Sequence, residues 1–248
     1  MKPASDPRQL WQESFDEQIA RQAYNTAPVE ALVRCVSYYL RDRYTTDQQR
    51  KLHFLELGCG AGSNLVWLAR RGIKISGVDI AANALALAKR NHEDAGCADR
   101  IGRLVEASVT DVPLEDGSID GILEACVFQH LRREERARAF AEVCRLLKPG
   151  GLFVGYMLAE AHTIFRQKCA EQLPEDPGTL YLADGKSRIY LSNIGVAHFF
   201  RREEYAQALA GFAVVDPCLT TYALPREEAV KRGYAEYVQG MWTVYAIK

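Results

Sequence analysis

The chain has 248 residues, 48% of them hydrophobic, so it can bury one large core and form a single domain with additions. Its formal net charge is −1 and its charges are interspersed, which argues against a surface built for nucleic acid or for an anionic membrane. No apolar run approaches the roughly 20 residues that span a bilayer, and the polar first ten residues do not indicate secretion. We therefore expect a cytoplasmic protein that acts on a small molecule, without nucleic acid or membrane as partner.

The cysteines argue against a metal site. They are odd in number, scattered, and contain no CxxC pair, which is typical of reduced, packed thiols. No metal is therefore expected. The seven are Cys35, Cys59, Cys97, Cys126, Cys144, Cys169 and Cys218.

The first fifty residues predict a helical cap. Trp11, Phe15 and Ile19 lie four residues apart, as on one side of a short helix. From residue 28 to 40 a second apolar stripe follows the same helical spacing.

Residues 51–158 then alternate between apolar strands and helices. Such alternation favours right-handed crossovers and a parallel sheet with helices on both faces, an α/β fold. The predicted strands are 52–57, 73–78, 101–107, 119–124 and 152–158, and the predicted helices are 64–71, 82–95 and 133–147.

The last third of the chain is less regular. Residues 159–200 contain several proline and glycine breakers and are too long for an ordinary connection, so we interpret them as an insertion that shapes a substrate site. In residues 201–248 we expect a helix at 202–209, a sixth strand at 212–215 and a seventh at 242–247.

A glycine-rich turn follows the first predicted strand. Glycines at such a turn allow the backbone to approach a ligand, and the helix start offers amide donors to an anionic group. A dinucleotide fingerprint GxGxxG would place its third glycine at position 63, which is Ser63. The glycines are Gly58, Gly60 and Gly62, preceded by the acidic Glu56.

This GxGxG turn resembles motif I of the class I S-adenosylmethionine-dependent methyltransferases, and residues 52–158 are similar to that family in order and spacing. The resemblance implies a Rossmann-like, seven-stranded, mostly parallel sheet with helices on both faces and an antiparallel last strand. It also implies S-adenosylmethionine as cofactor, whose ammonium suits an acidic Glu56. Asp79, at the end of the second strand, would accept hydrogen bonds from the ribose hydroxyls, although it could also cap the helix that follows.

The resemblance extends to the adenine and to the amino-acid end of the cofactor. Ser108 occupies the position where many family members carry an adenine-binding aspartate, and its hydroxyl can accept the same bond. The cofactor-binding residues implied by the family are Glu56, Gly58, Gly60, Gly62, Asn64, Asp79, Ile80, Ser108, Val109 and Glu124.

The acceptor side is less defined. His130 follows the fourth strand, where many small-molecule members carry a histidine, and we predict it as the catalytic base because imidazole titrates near neutrality. A histidine that caps the next helix or is fixed by a hydrogen bond is the alternative. The predicted substrate-binding residues are Tyr24, Tyr156, Tyr190 and His198.

We therefore expect a methyltransferase that acts on a small or medium-sized metabolite. A protein or RNA methyltransferase would require a basic stripe beside the site, but Glu134 and Glu135 interrupt the arginines at 132–138. A cofactor-binding regulator without catalysis is a further alternative. Monomer and homodimer both remain open.

Overall fold

The computed structural model describes residues 6–183, 191 and 193–248, so the predicted site residue Tyr190 lies outside the described residues. The helices are α1 (Pro7–Ala20), α2 (Glu30–Arg43), α3 (Thr46–Gln49), α4 (Ser63–Arg70), α5 (Ala82–Asp94), α6 (Arg133–Leu146), α7 (Thr163–Lys168), α8 (Arg202–Ala208) and α9 (Arg226–Lys231). The strands are β1 (His53–Leu57), β2 (Lys74–Asp79), β3 (Ile101–Glu106), β4 (Ile119–Ala125), β5 (Leu147–Leu158), β6 (Thr179–Ala183), β7 (Asn193–His198), β8 (Val214–Ala223) and β9 (Val238–Ile247).

Seven strands form one sheet, in the order β3-β2-β1-β4-β5-β9-β8. Strands β1 to β5 run parallel to one another, whereas β9 runs antiparallel to both β5 and β8. The predicted Rossmann-like sheet, mostly parallel with an antiparallel last strand, is therefore confirmed.

The structure differs from the prediction in the last third of the chain. The sixth strand of the sheet was predicted at 212–215, but β8 runs from Val214 to Ala223. Inside the insertion, β6 and β7 form a separate antiparallel pair that the sequence pattern did not predict. Gly195 lies within β7 and has a φ of 78°. A glycine inside a strand has no side chain to continue the alternation of apolar and polar residues, so the sequence pattern does not indicate a strand there.

Helices on both faces of the sheet bury separate apolar clusters. On one face, the rings of Phe128, Phe140 and Phe153 pack together against β4, β5 and α6, with centroids 5.0 to 6.4 Å apart. On the other, α2 and α4 bury leucines against β1 and β2. Each such side chain contributes about 1.5–3 kcal/mol when fully buried. The strand ends therefore provide a rigid base for a site.

None of the helices in the described part of the chain combines the length and the apolar character that crossing a bilayer demands.

Candidate functional site

A cavity of about 490 Å³ opens at the carboxyl ends of β1, β2 and β4. Glu56 lines it from β1, Asp79 from β2 and Ala125 from β4. Ligands of open α/β sheets bind at this edge, where the strand order reverses, and the volume is typical of small-molecule pockets. The cavity therefore coincides with the position that the glycine turn predicts.

The glycine turn forms the floor of the cavity and leaves no room for side chains. Gly58 has a φ of 71°, and a Cβ there would lie 2.2 Å from Val127 Cγ2. A Cβ on Gly60, whose φ is 49°, would lie 3.1 Å from Phe15 of α1. Gly62 adopts the left-handed conformation at the N-terminus of α4 and is not among the lining residues. Gly58 and Gly60 thus allow the bare backbone to face the cavity.

Glu56 presents a buried carboxylate that is only partly satisfied. Its Oε1 accepts a hydrogen bond of 2.6 Å from Asn64 Nδ2, and Asn64 Oδ1 accepts one of 2.8 Å from the Val29 amide at the start of α2. Among the described residues, Glu56 Oε2 has no hydrogen-bond partner although it is buried. Burial raises the pKa of Glu56 to about 8, against the opposing bond from Asn64. A cationic group such as an ammonium would satisfy this oxygen.

Asp79 is held in a fixed orientation at the end of β2. Its Oδ2 accepts from the Gly60 amide at 2.8 Å and its Oδ1 from the Ala81 amide at 2.9 Å. Ala81, not Asp79, occupies the cap position of α5. Burial raises the pKa of Asp79 despite these bonds. Each carboxylate oxygen keeps a free lone pair, so Asp79 can accept two ligand hydroxyls.

The loop after β3 closes the far side of the cavity. Ser108 and Val109 of this loop line the cavity, as does Ile80, which directly follows β2. Ser108 Oγ lies 2.8 Å from Thr110 Oγ1 and accepts from the Thr110 amide at 3.2 Å. This arrangement suits a flat ring with a polar edge.

Glu124 was predicted to contact the cofactor, but its side chain is fully buried and is not among the residues that line the cavity. Its Oε1 accepts from the amides of Val127 (2.6 Å) and Phe128 (3.0 Å), and its Oε2 accepts from the Tyr156 amide (3.3 Å). The carboxylate thereby stabilises the turn after β4, in which Cys126 has a φ of 62°. Three backbone amides occupy its oxygens, so Glu124 is a support for the wall of the cavity.

His130 lines the cavity, but its geometry does not fit the predicted base. Its Nδ1 lies 3.2 Å from the carbonyl oxygen of Val196 and its Nε2 lies 3.2 Å from Gln129 Nε2. Burial lowers the pKa of His130 to about 4. A neutral ring with both nitrogens engaged is a weak proton acceptor, and the geometry agrees with the alternative of a histidine fixed by hydrogen bonds.

Two of the predicted substrate-binding residues that the structure describes, Tyr24 and Tyr156, lie outside the cavity lining. Ala23 and Asn25 line the cavity, whereas Tyr24 between them does not. Tyr156 packs half-buried against the apolar clusters.

His198 is also away from the cavity, in the packing of the insertion. The buried ring contacts Thr179 Oγ1 at 2.8 Å and Glu204 Oε2 at 2.9 Å. Thr179 in turn donates to Asp176, which forms a buried bidentate ion pair with Arg136 of α6 at 2.6 and 3.0 Å. His198 therefore helps to fix the β6–β7 pair against α6 and α8.

Sequence reasoning missed the residues that roof the cavity. Trp11 and Phe15 were assigned only to packing in the cap, yet one side of α1 lies over the glycine turn. Their helical spacing was the available signal, but it does not reveal which element they face. The other lining residues that were not predicted include Pro7, Gln18, Cys126, Leu131, Glu135, Leu191 and Ile194.

Comparisons with known proteins agree with the chemistry of this cavity. A family model described as a methyltransferase domain matches residues 55–155. A carboxy-S-adenosyl-L-methionine synthase of Erwinia tasmaniensis is 26% identical over 242 residues, covering 90% of this chain and 93% of that protein. A sterol 4-C-methyltransferase of Caenorhabditis elegans is 30% identical over 111 residues, covering 45% of this chain and 32% of that protein. An uncharacterized protein of Haemophilus influenzae is 37% identical over 101 residues, 40% of each chain.

The match to the sterol 4-C-methyltransferase and the match to the Haemophilus influenzae protein each span less than half the length of that relative.

Two solved structures of S-adenosylmethionine-dependent methyltransferases share the fold. One, from Anabaena variabilis, has a TM-score of 0.66 at 17% identity, covering 100% of this chain and 98% of that one. The other, from Methanosarcina mazei, has a TM-score of 0.64 at 21% identity, covering 85% and 95%. Residues 55–155 therefore match a methyltransferase domain, and the chain shares the fold of S-adenosylmethionine-dependent methyltransferases.

Proposed function

We propose that the chain transfers the methyl group of S-adenosylmethionine to a small-molecule acceptor bound in the same cavity. The observation that carries this proposal is the buried Glu56 Oε2, which has no hydrogen-bond partner in the part of the chain that the structure describes, in a residue that lines the cavity beside the glycine turn. A buried carboxylate oxygen without a donor is costly unless a ligand provides one. The ammonium of the cofactor is such a donor.

Each part of the cofactor has a chemically matched group in the proposed site. Glu56 would bind the ammonium, and the first-turn amides of α4, at Ser63 and Asn64, would bind the carboxylate. Asp79 would accept the ribose hydroxyls, and Ser108 would accept from the adenine amino group. When bound, the cofactor would supply a methyl group on a sulfonium. An acceptor aligned with this carbon would form the new bond as the carbon–sulfur bond breaks, with S-adenosylhomocysteine as the leaving group.

The remaining lining favours an enclosed small acceptor. Trp11 and Phe15 from α1 line the cavity together with Leu191 and Ile194 from the insertion, so aromatic and aliphatic groups form part of its lining. Such walls exclude water and align the acceptor with the methyl group. A protein or RNA acceptor would need an open, basic surface, and the described lining residues include neither Arg nor Lys.

Synthesis of a carboxylated cofactor is a second candidate, because a relative of that name aligns over nearly the whole chain. A carboxylated product carries an additional negative charge. The acidic residues in the described lining are Glu56, Asp79 and Glu135, and the described lining holds neither Lys nor Arg to attract that charge. Methyl transfer is therefore the favoured reaction.

The test combines binding with product mass. Purified protein is titrated calorimetrically with S-adenosylmethionine and S-adenosylhomocysteine, and is then incubated with S-adenosylmethionine and fractionated small-molecule extracts. We expect micromolar binding of both ligands and a product heavier than its precursor by one methylene. Binding without any turnover would support the regulator, and a carboxylated cofactor in the mass spectrum would support the second candidate.

A further inference from the structure

The protonation state of His130 follows from its hydrogen bonds. The Leu158 amide at the end of β5 can only donate, so the Gln129 atom 2.8 Å from it is the carbonyl Oε1. The other end of this amide, Gln129 Nε2, therefore faces His130 Nε2 at 3.2 Å. An amide nitrogen carries only donors, so His130 Nε2 is unprotonated and accepts. The ring proton then resides on Nδ1 and is donated to the Val196 carbonyl.

The same ring connects three separate elements. Phe128–His130 forms a 3-10 turn after β4, and the bond to Val196 reaches β7 of the insertion. On α1, the indole of Trp11 contacts the imidazole with ring centroids 5.1 Å apart and planes tilted by 60°. His130 is thus a shared contact of the wall and the roof of the cavity.

Nearby titratable groups are engaged elsewhere. Glu135 of α6 lines the cavity near His130, and its Oε2 accepts from the Arg132 amide at the start of that helix. On β7, both nitrogens of His198 are bonded to Thr179 and Glu204. Burial raises the pKa of Cys126, on the loop after β4, to about 12. No charged group in the described lining is hydrogen-bonded to the His130 ring.

We propose that His130 is a positioning residue: a neutral Nδ1–H imidazole, fixed by Gln129, that holds α1 and β7 closed over the cavity. This inference rests on the proposed function only in that the cavity is taken as the place where cofactor and acceptor meet. Because the ring links wall and roof, its loss should speed the release of ligand. It should not remove a proton acceptor from the reaction.

The first test reads the protonation state directly and needs no activity. The protein is labelled with 15N-histidine, the His130 signals are assigned by their loss in His130→Gln, and the ring nitrogens are followed by NMR from pH 5 to pH 8. We expect one neutral Nδ1–H form throughout this range, with and without S-adenosylhomocysteine. Titration near the usual histidine pKa of about 6.5, or an Nε2–H form, would overturn the inference.

The second test measures how fast a ligand leaves the cavity, which reports whether α1 and β7 are held closed over it. Dissociation of S-adenosylhomocysteine is measured by stopped-flow for His130→Ala, Trp11→Ala and the double variant. We expect each single variant to speed dissociation by ~10-fold, and the double variant to add little because both remove the same contact. A base would behave differently: His130→Ala would slow methyl transfer by ~100-fold or more with an unchanged dissociation rate, which would contradict the inference.

The two tests separate this inference from the proposed function. If S-adenosylhomocysteine does not bind at all, the proposed function fails, while the NMR result still decides the state of His130. If it binds and His130 titrates as an ordinary histidine, the proposed function stands and the inference fails.

Discussion

The floor and the roof of the cavity are built in different ways. The floor consists of the glycine turn and the ends of β1 and β2, where Asp79 is bonded to two backbone amides and Glu56 to Asn64. The roof consists of α1 and the insertion, which reach the cavity from distant parts of the sequence. Helix α1 has one buried residue, Ser14, and the Asn83 side chain of α5 donates to its Gln12 carbonyl and its Asp16 carboxylate.

From this difference we infer that the floor recognises the cofactor and that the roof controls the exchange of ligands. Backbone bonds and burial give the floor one rigid conformation, which suits recognition of an invariant cofactor. Side-chain contacts on a solvated helix are weaker and open more readily, which suits exchange of ligands and variation of the acceptor. Variants that disturb the floor should therefore alter cofactor affinity, and variants that disturb the roof should alter stability of the insertion or the rate of exchange.

The largest effect is expected at the buried ion pair that anchors the insertion. Asp176→Ala would leave the buried Arg136 guanidinium without its carboxylate, which should lower the free energy of unfolding by ~3–5 kcal/mol. Urea denaturation measures this change in the free energy of unfolding. The matched control is Asp116→Ala at the exposed pair with Arg145, where ~0–1 kcal/mol is expected. Equal losses in the two variants would contradict the role of the anchor.

On the floor, Asp79→Ala should weaken cofactor binding by ~1–3 kcal/mol, because ligand hydroxyls and two backbone amides lose their acceptor. Calorimetric titration with S-adenosylhomocysteine measures the change. Asp99→Ala, at the exposed carboxylate beside Arg100, is the control and should leave affinity unchanged. An unaltered dissociation constant in Asp79→Ala would exclude the assigned role.

Cofactor affinity should also depend on pH through Glu56. Because burial raises its pKa to about 8, free protein holds Glu56 protonated at pH 7, whereas an ammonium requires the carboxylate. Binding should therefore release a proton, and affinity should rise by up to ~10-fold per unit between pH 6 and pH 7.5, about 1.4 kcal/mol. Titration in buffers of different ionisation enthalpy counts the proton. In Glu56→Gln the proton release should disappear, and its persistence would assign it to another group.

The raised pKa of Glu56 has the opposite pH dependence for the stability of the unliganded protein, which is favoured at low pH. A carboxyl whose folded pKa is raised stabilises the fold in its protonated form. The contribution of Glu56 is therefore complete below pH 4.5, the ordinary pKa, and is lost as the pH rises through about 8. Thermal unfolding of wild type and Glu56→Gln across this window should converge at low pH and diverge at high pH.

The smallest effect is expected at Ser108. Ser108→Ala should weaken cofactor binding by ~0.5–1.5 kcal/mol through the loss of one neutral hydrogen bond. Thr110→Ala removes the neighbouring hydroxyl, which bonds to Ser108, and is the control for loop packing. Identical losses in the two variants would indicate that the loop, rather than the Ser108 hydroxyl, is what matters.

The floor could be predicted from sequence because its determinants are local. Strand, glycine turn and helix follow one another directly, so the spacing of Gly58, Gly60 and Asp79 carries the geometry. The roles of Glu124 and His130 could not be predicted in this way. Each depends on partners that only the fold brings close, the Tyr156 amide for Glu124 and the Val196 carbonyl for His130. For the same reason, helical spacing identified Trp11 as apolar packing but not as part of the roof.

We infer that Glu56 Oε2, which has no hydrogen-bond partner among the described residues, marks the ammonium site of the cofactor. The most direct measurement is a crystal structure of the protein with S-adenosylhomocysteine. We predict the ligand ammonium within hydrogen-bond distance of Glu56 Oε2 and its ribose hydroxyls on the Asp79 carboxylate. A ligand whose amino-acid end lies away from Glu56, or which binds outside the cavity, would contradict this account.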